Sequence, residues 1–390
     1  MYKEYNRFAG IATPFYYYDL DLLRDTLDTL NREAGKYNYK VHYALKANAD
    51  SQVLQIIRDA GLGADCVSGN EVQKSLNSGF PAEDIYYAGV GKTDDEIRTG
   101  LAGNIGCFNC ESVQEITVMN QIASDMNMVA KIALRINPDI NSNTHTYITT
   151  GIQENKFGIQ LWELDEVLSV IRQLKNIKLI GLHFHIGSQI TRLEVFRKLC
   201  LKVNEINNWF IERKYFLPVL NLGGGLGIDY NDPDSNPVPD FRNYFKTVYD
   251  TLLPQSWQEV HFELGRSVVG QMGSLISKVL YIKNGKTKNF AILDSGMTEL
   301  IRPALYHSFH KIVNLNKSKF NGTSLPYLKY DVVGPVCETT DFLGKEVELP
   351  RTDRGDLIAV CSAGAYGQSM ASNYNLRERA GVTYSDDLSG

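Results

Sequence analysis

Eight short β-prone runs alternate with helix-patterned stretches through the first two-thirds of the chain, and this alternation limits the possible folds most. The strand candidates are residues 40–45, 62–66, 84–88, 105–108, 130–136, 179–185, 219–222 and 259–264. Helical patterns fall between them at 69–78, 94–101, 111–126, 161–174, 193–213 and 240–253, after a leucine-rich one at 20–32. Several strands are apolar nearly throughout, as strands covered on both faces are. Strand–helix alternation makes a parallel sheet, and eight units outline a (β/α)8 TIM-like barrel. A doubly wound open sheet is the structural alternative.

Beyond Arg266 the alternation stops. Short β-like runs at 268–281, 289–293, 330–333, 346–349 and 357–361 are punctuated by Gly and Pro. They predict a second, mostly antiparallel β domain. The expected division is a cofactor-binding barrel at 25–266 and a β domain made of 1–24 and 267–390. The aromatic run Thr13-Pro14-Phe15-Tyr16-Tyr17-Tyr18 is a candidate strand of that second domain. The proline-rich stretch 233–239 reads as a loop within the barrel.

The net charge of -5 comes from interspersed acidic and basic residues, which argues against a nucleic-acid partner. No run is long enough to span a bilayer, and the N-terminus lacks a signal core, so a cytoplasmic protein is expected. The six cysteines show no disulfide framework. Cys107-Phe108-Asn109-Cys110 is a lone C-x-x-C without a second ligand pair, so no metal is expected.

In a (β/α)8 barrel, function gathers at the C-terminal ends of the strands. The unusual polar residues fall there. Lys46 follows the first strand, in Tyr43-Ala44-Leu45-Lys46-Ala47-Asn48. A lysine leaving a buried strand loses solvation and becomes a nucleophile able to form a Schiff base, unless it is only a surface lysine. Asp65 and Arg135 end the second and fifth strands, and His183-Phe184-His185-Ile186-Gly187-Ser188-Gln189 ends the sixth. Gly223-Gly224-Gly225 ends the seventh; it is either an anion cradle of backbone N–H groups or merely a turn. Glu263-Leu264-Gly265-Arg266 ends the eighth. His185 fits a metal ligand, a core histidine or a flat stacking ring. Glu263 fits a general base, a partner for a ring nitrogen, or a salt bridge to Arg266. A Schiff-base lysine, a phosphate cradle, a flat imidazole and a carboxylate share one use, the binding of pyridoxal 5'-phosphate.

The motifs YALKAN, HFHIGSQ, GGGLG, ELGRS, RPALY, GPVCETTDF and AGAYG with SNYN after it run from about Pro14 to Asn375. On these the chain resembles the fold-type III pyridoxal-phosphate-dependent decarboxylases, most closely the diaminopimelate decarboxylase family. The resemblance implies a barrel, a C-terminal β domain and a homodimer with shared active sites. It implies that Lys46 carries the cofactor, that His185 stacks on its ring and that Glu263 pairs with its pyridine nitrogen. Ser188, Gly223, Gly224, Gly225, Gly265, Arg266 and Tyr366 would complete the cofactor site. Cys337 would be the proton donor, reaching in from the other subunit. Arg266, Arg302, Tyr306, Glu338 and Tyr366 would bind substrate, with Asp65 and Arg135 as supports.

The implied reaction is meso-2,6-diaminopimelate to L-lysine and CO2, the last step of lysine biosynthesis. Two arginines suit a distal carboxylate, which a diamine precursor lacks. The alternatives are a relative acting on another basic amino acid, an amino-acid racemase, or a non-catalytic relative that binds partners. Two positions depart from the family pattern. Leu264 stands where proline is usual, and Thr339-Thr340 stands where Ser-Gly is usual. The second change puts the shape of the Cys337 loop in question.

Overall fold

The computed structural model describes residues 8, 10–140, 156–317 and 325–388. It divides into two compact units, one of residues 27–227 and 240–265, the other of 1–26, 228–239 and 266–390. Among the described residues no helix is long and apolar enough to cross a membrane.

The first unit is a closed barrel of eight parallel strands. In chain order its elements are β2 (Lys40–Ala44), α2 (Ser51–Asp59), β3 (Gly63–Cys66), α3 (Gly69–Asn77), β4 (Ile85–Tyr87), α4 (Asp94–Ala102), β5 (Cys107–Cys110) and α5 (Val113–Asp125). These are followed by β6 (Ala130–Arg135), α6 (Leu164–Ile171), β7 (Ile177–His183), α7 (Leu193–Glu212), β8 (Val219–Asn221), α8 (Phe241–Tyr249) and β9 (Glu259–Leu264). Before them come β1 (Phe15–Tyr18) and α1 (Leu20–Gly35). The barrel closes where β2 pairs with β9, with His42 opposite Glu263 and Tyr43 opposite Leu264. The open-sheet alternative is therefore excluded. Side-chain caps start the helices: Asp50, Ser68, Thr93, Ser112 and Asp240 accept from backbone N–H groups of the first turn.

The barrel interior holds a polar cluster. His42 Nε2 lies 2.9 Å from His261 Nδ1, and His42 Nδ1 lies 2.9 Å from the Asp84 carbonyl. The Tyr86 ring packs on both imidazoles. Burial pushes both histidines' pKa values down, His261 to about 3, so the rings are neutral.

The second unit is an eight-stranded sheet. Its further elements are α9 (Arg266–Val269), β10 (Gly273–Asn284), β11 (Asn289–Leu293), α10 (Arg302–Tyr306), β12 (Ile312–Asn314), β13 (Tyr327–Val333), β14 (Phe342–Pro350), β15 (Leu357–Val360) and β16 (Gly381–Tyr384). Pairing is mostly antiparallel, but β11–β13 and β1–β16 run parallel. The strand expected from residue 268 begins only at Gly273, because Arg266–Val269 forms one helical turn. The aromatic strand β1 pairs with β10, its four residues fully buried. The stretch 228–239 packs within this unit. Lys311 pairs with Asp232 and Asp234, and the Gln271 amide donates to the carbonyls of Asp229 and Asn236.

Candidate active site

Lys46 sits on a single turn of 3-10 helix, Leu45–Ala47, directly after β2. It lines a cavity of about 420 Å³ at the C-terminal mouth, a size usual for small-ligand sites. Arg135, His183, His185 and Glu263 line the same cavity, as do Lys92 and Phe157. The strand ends thus bring together residues that lie more than two hundred positions apart.

Glu263 is the most elaborately held group. Asn109 Nδ2 and Asn221 Nδ2 donate to its Oε1 at 3.1 and 2.7 Å, and His183 Nε2 lies 2.9 Å from Oε2. Burial by itself would raise its pKa. His183, then Lys46 and His185, outweigh that and keep the carboxylate ionised. The neighbouring His185 is neutral, because burial and then Lys46 and Arg135 hold its pKa well below the imidazole range. Its Nδ1 accepts the Gly224 N–H at 3.3 Å, which fixes the plane of the ring.

The glycine turn is shaped first by packing. A Cβ on Gly223 would stand 2.0 Å from the Phe184 carbonyl oxygen, and one on Gly224 would stand 1.8 Å from that of Glu263. The Gly223 N–H goes to Asn221 Oδ1 at 2.9 Å and the Gly224 N–H to His185. The Gly225 N–H has no partner among the described residues, and its φ of +113° suits glycine alone. Of the three, Gly225 is therefore the donor open to an anion. Ser188 lies in the β7–α7 loop, and Gly265 packs against Ala44 and Ala47.

Asp65, at the end of β3, lies 3.6 Å from the Lys46 amine. Sequence neighbours gave Lys46 no such partner; the adjacent strand supplies it. Neither Asp65 oxygen has a hydrogen-bond partner among the described residues, although the group is buried. Burial and then Glu263 push its pKa well up, against the pull of Lys46. Arg135 is paired with Glu111 at 2.8 Å and lies over the Phe157 ring. An amine, a neutral flat ring, an ionised acid, an open backbone N–H and a buried carboxyl without a donor fit pyridoxal phosphate.

The second unit carries the remaining candidates. Arg266 donates to the Tyr230 hydroxyl at 2.5 Å and lies over the Tyr366 ring. Arg302 opens α10, buried, over the face of Tyr230, with Tyr306 at the other end of the helix. Cys337 and Glu338 are exposed. Asn375 Oδ1 accepts the Cys337 N–H at 3.3 Å, and the Tyr374 hydroxyl donates to Glu338 at 2.9 Å. Asp341 braces this loop, accepting from the N–H groups of Val336 and Met297 at 2.7 and 2.6 Å. Neither Thr339 nor Thr340 has a positive φ, so threonine fits where the family has Ser-Gly. Leu264 completes β9 and is fully buried, so the missing proline leaves the strand end intact.

The family model for the pyridoxal binding domain of pyridoxal-dependent decarboxylases matches residues 21–270. A diaminopimelate decarboxylase of Bacteroides thetaiotaomicron is 53% identical over 384 residues, covering 98% of each chain. The chain belongs to the diaminopimelate decarboxylases. A crystal structure of the Helicobacter pylori diaminopimelate decarboxylase complexed with L-lysine superposes with a TM-score of 0.89. It is 36% identical, with 97% of this chain and 93% of that one covered. The diaminopimelate decarboxylase from m. jannaschii, in co-complex with L-lysine, gives 0.86 at 30% identity, covering 96% of this chain and 88% of that one. As a diaminopimelate decarboxylase, the chain is a pyridoxal-phosphate-dependent enzyme acting on a small amino acid.

The sequence did not single out Asn109, Asn221, Lys92, Tyr230 or His310 as site residues. Asn109 and Asn221 had a legible signal, each being an amide inside an otherwise apolar strand end. Tyr230 and His310 had none, since only the fold brings them to the arginines.

Proposed function

We propose that the barrel mouth and the β-domain arginines divide the reaction between them. The reaction is decarboxylation of meso-diaminopimelate to L-lysine and CO2. Pyridoxal phosphate, when bound, supplies a ring that accepts the electron pair left as CO2 departs. Lys46 would hold the cofactor at its aldehyde carbon through its amine. Glu263, kept ionised by its neighbours, would hold a proton on the ring nitrogen. His185, a neutral imidazole, would stack on the ring. Gly225, with Ser188 and Tyr366, would hold the phosphate, and Gly223, Gly224 and Gly265 would shape the backbone around it.

Arg266 and Arg302 bind the distal carboxylate, aided by Tyr306, and Glu338 takes the distal ammonium. A substrate without that carboxylate leaves buried guanidinium charge unanswered, which is a strong discriminator. Cys337 delivers the proton to the carbon that lost CO2, from the second subunit of a homodimer. Its exposure, beside the 91% exposed Leu376, supports a surface that a partner covers.

The observation that carries this reading is the cavity shared by Lys46, His185 and the buried, ionised Glu263. The test is incubation with pyridoxal phosphate and meso-diaminopimelate, following CO2 and L-lysine. One lysine per CO2 is expected, and the Lys46→Ala protein should give neither product nor a borohydride-fixed cofactor adduct. Turnover by Lys46→Ala, or turnover of ornithine or arginine in place of diaminopimelate, would overturn it.

A further inference from the structure

Arg302 is 4% exposed, yet among the described residues no carboxylate pairs with it. Its hydrogen-bond partners are neutral, and the one charged group acting on it is a second cation, Arg266. Nη1 donates to His310 Nε2 at 2.7 Å, and Nη2 donates to Ser308 Oγ at 3.2 Å. The Tyr230 ring lies beneath it, 4.8 Å from centroid to guanidinium, and meets the His310 ring edge-on at 5.0 Å. His310 is buried, and its Nδ1 lies 2.8 Å from the Cys361 carbonyl oxygen. A carbonyl only accepts, so Nδ1 carries the hydrogen and Nε2 is left as the acceptor that Arg302 uses. Both ring nitrogens are thereby committed.

We infer that His310 is a positioning residue for substrate selection, orienting the Arg302 guanidinium while leaving its charge uncancelled. This rests on the reading that Arg302 binds the distal carboxylate. A buried guanidinium needs acceptors, and the commonest is a carboxylate. A carboxylate here would hold the group equally well but would neutralise it before substrate arrived. An imidazole locked as an acceptor by a backbone carbonyl satisfies one N–H and adds no negative charge. Burial and then Arg302 itself keep that ring neutral, with a pKa near 3. The positive charge is then answered only when the carboxylate enters. A bound anion that pairs with a desolvated, pre-oriented arginine discriminates strongly against ligands lacking it.

L-Lysine keeps the distal carboxylate and cadaverine lacks it, so the two serve as inhibitor probes. The holoenzyme is compared with His310→Gln, His310→Glu, His310→Leu and Arg302→Met. Glutamine places an oxygen where Nε2 stands, so H310Q should stay within about threefold of the parent in all constants. H310L removes the acceptor and H310E cancels the charge. Both should raise KM for meso-diaminopimelate and the L-lysine inhibition constant by about tenfold or more, with kcat and cadaverine inhibition little changed. H310E behaving like H310Q would overturn the inference, since any acceptor would then serve; so would H310L behaving like the parent. Arg302→Met leaving KM and L-lysine inhibition unchanged would instead strike at the carboxylate reading of Arg302. Melting temperature and cofactor absorbance of each variant separate misfolding from misorientation.

Discussion

His183 Nε2 lies 2.9 Å from Glu263 Oε2, and this contact decides the state of the acid at the centre of the barrel mouth. The two asparagines on Oε1 are neutral donors that cannot take its proton. Glu263 is therefore ionised and held in place before any ligand enters. Replacing Glu263 with Gln keeps the shape and removes the charge. Turnover should fall roughly a hundredfold or more, by the usual cost of losing one preorganised electrostatic partner. The cofactor's absorption spectrum should also change, because its ring nitrogen would lose its proton-holding partner. Absorbance titration and kcat together check this.

Gly224 is held by backbone, since an added Cβ would stand 1.8 Å from the Glu263 carbonyl oxygen. Gly224→Ala should lower stability by about 1–3 kcal/mol and weaken cofactor binding, because the turn must shift. Gly35→Ala meets nothing within 4 Å and serves as control. Thermal melts and cofactor titration of both proteins make the comparison.

Cys337→Ala should still load cofactor and lose most turnover, while the Asp341→Asn loop variant should show a milder loss. Mixing inactive Lys46→Ala and Cys337→Ala proteins should restore up to about a quarter of activity if each site draws on both subunits, since random mixing forms mixed dimers with one intact site. No recovery after subunit exchange, checked by mass, would remove the shared site.

Acid should destabilise the protein through its buried histidines. His42, His185, His261 and His310 all have depressed pKa values, with burial the first cause. Unfolded histidines take protons near pH 6.5, whereas His261 and His310 resist until about 3. The unfolded state thus binds more protons in that window. Their contribution is complete above about pH 6.5 and is lost as pH falls towards 3, at about 1.4 kcal/mol per pH unit for each group. Melts of the apoprotein between pH 7.5 and 4.5 should show this slope, and H310Q should make it shallower.

The barrel was legible because its signals are local. Each of its eight strands ends within a few residues of where hydrophobic runs placed it, as β9 does at Leu264. Helix α2 falls outside the helical patterns of the sequence, although Asp50 caps it and Val53, Leu54 and Ile57 form its buried face. The turn Arg266–Val269 reads as strand because Val268 and Val269 are β-prone, and the fold overrides that preference. Lys46, His185 and Glu263 announced themselves at strand ends. Asp65 beside Lys46 and His310 beside Arg302 did not, because lateral neighbours in a sheet or across a helix turn leave no spacing to read. Strand β16 was equally hidden, its four residues resting on a pairing with the opposite end of the chain.

That last pairing has a consequence for synthesis. Phe15–Tyr18 emerges early from the ribosome, yet its partners are Gly273–Ile276 and Gly381–Tyr384. Three tyrosines and a phenylalanine must wait, unpaired and apolar, while most of the polypeptide is made. A nascent chain stalled before residue 381 would keep one edge of that strand bare, an invitation to association with other chains. Shortening the protein by its last ten residues should therefore cost solubility during expression before it costs anything at the catalytic centre.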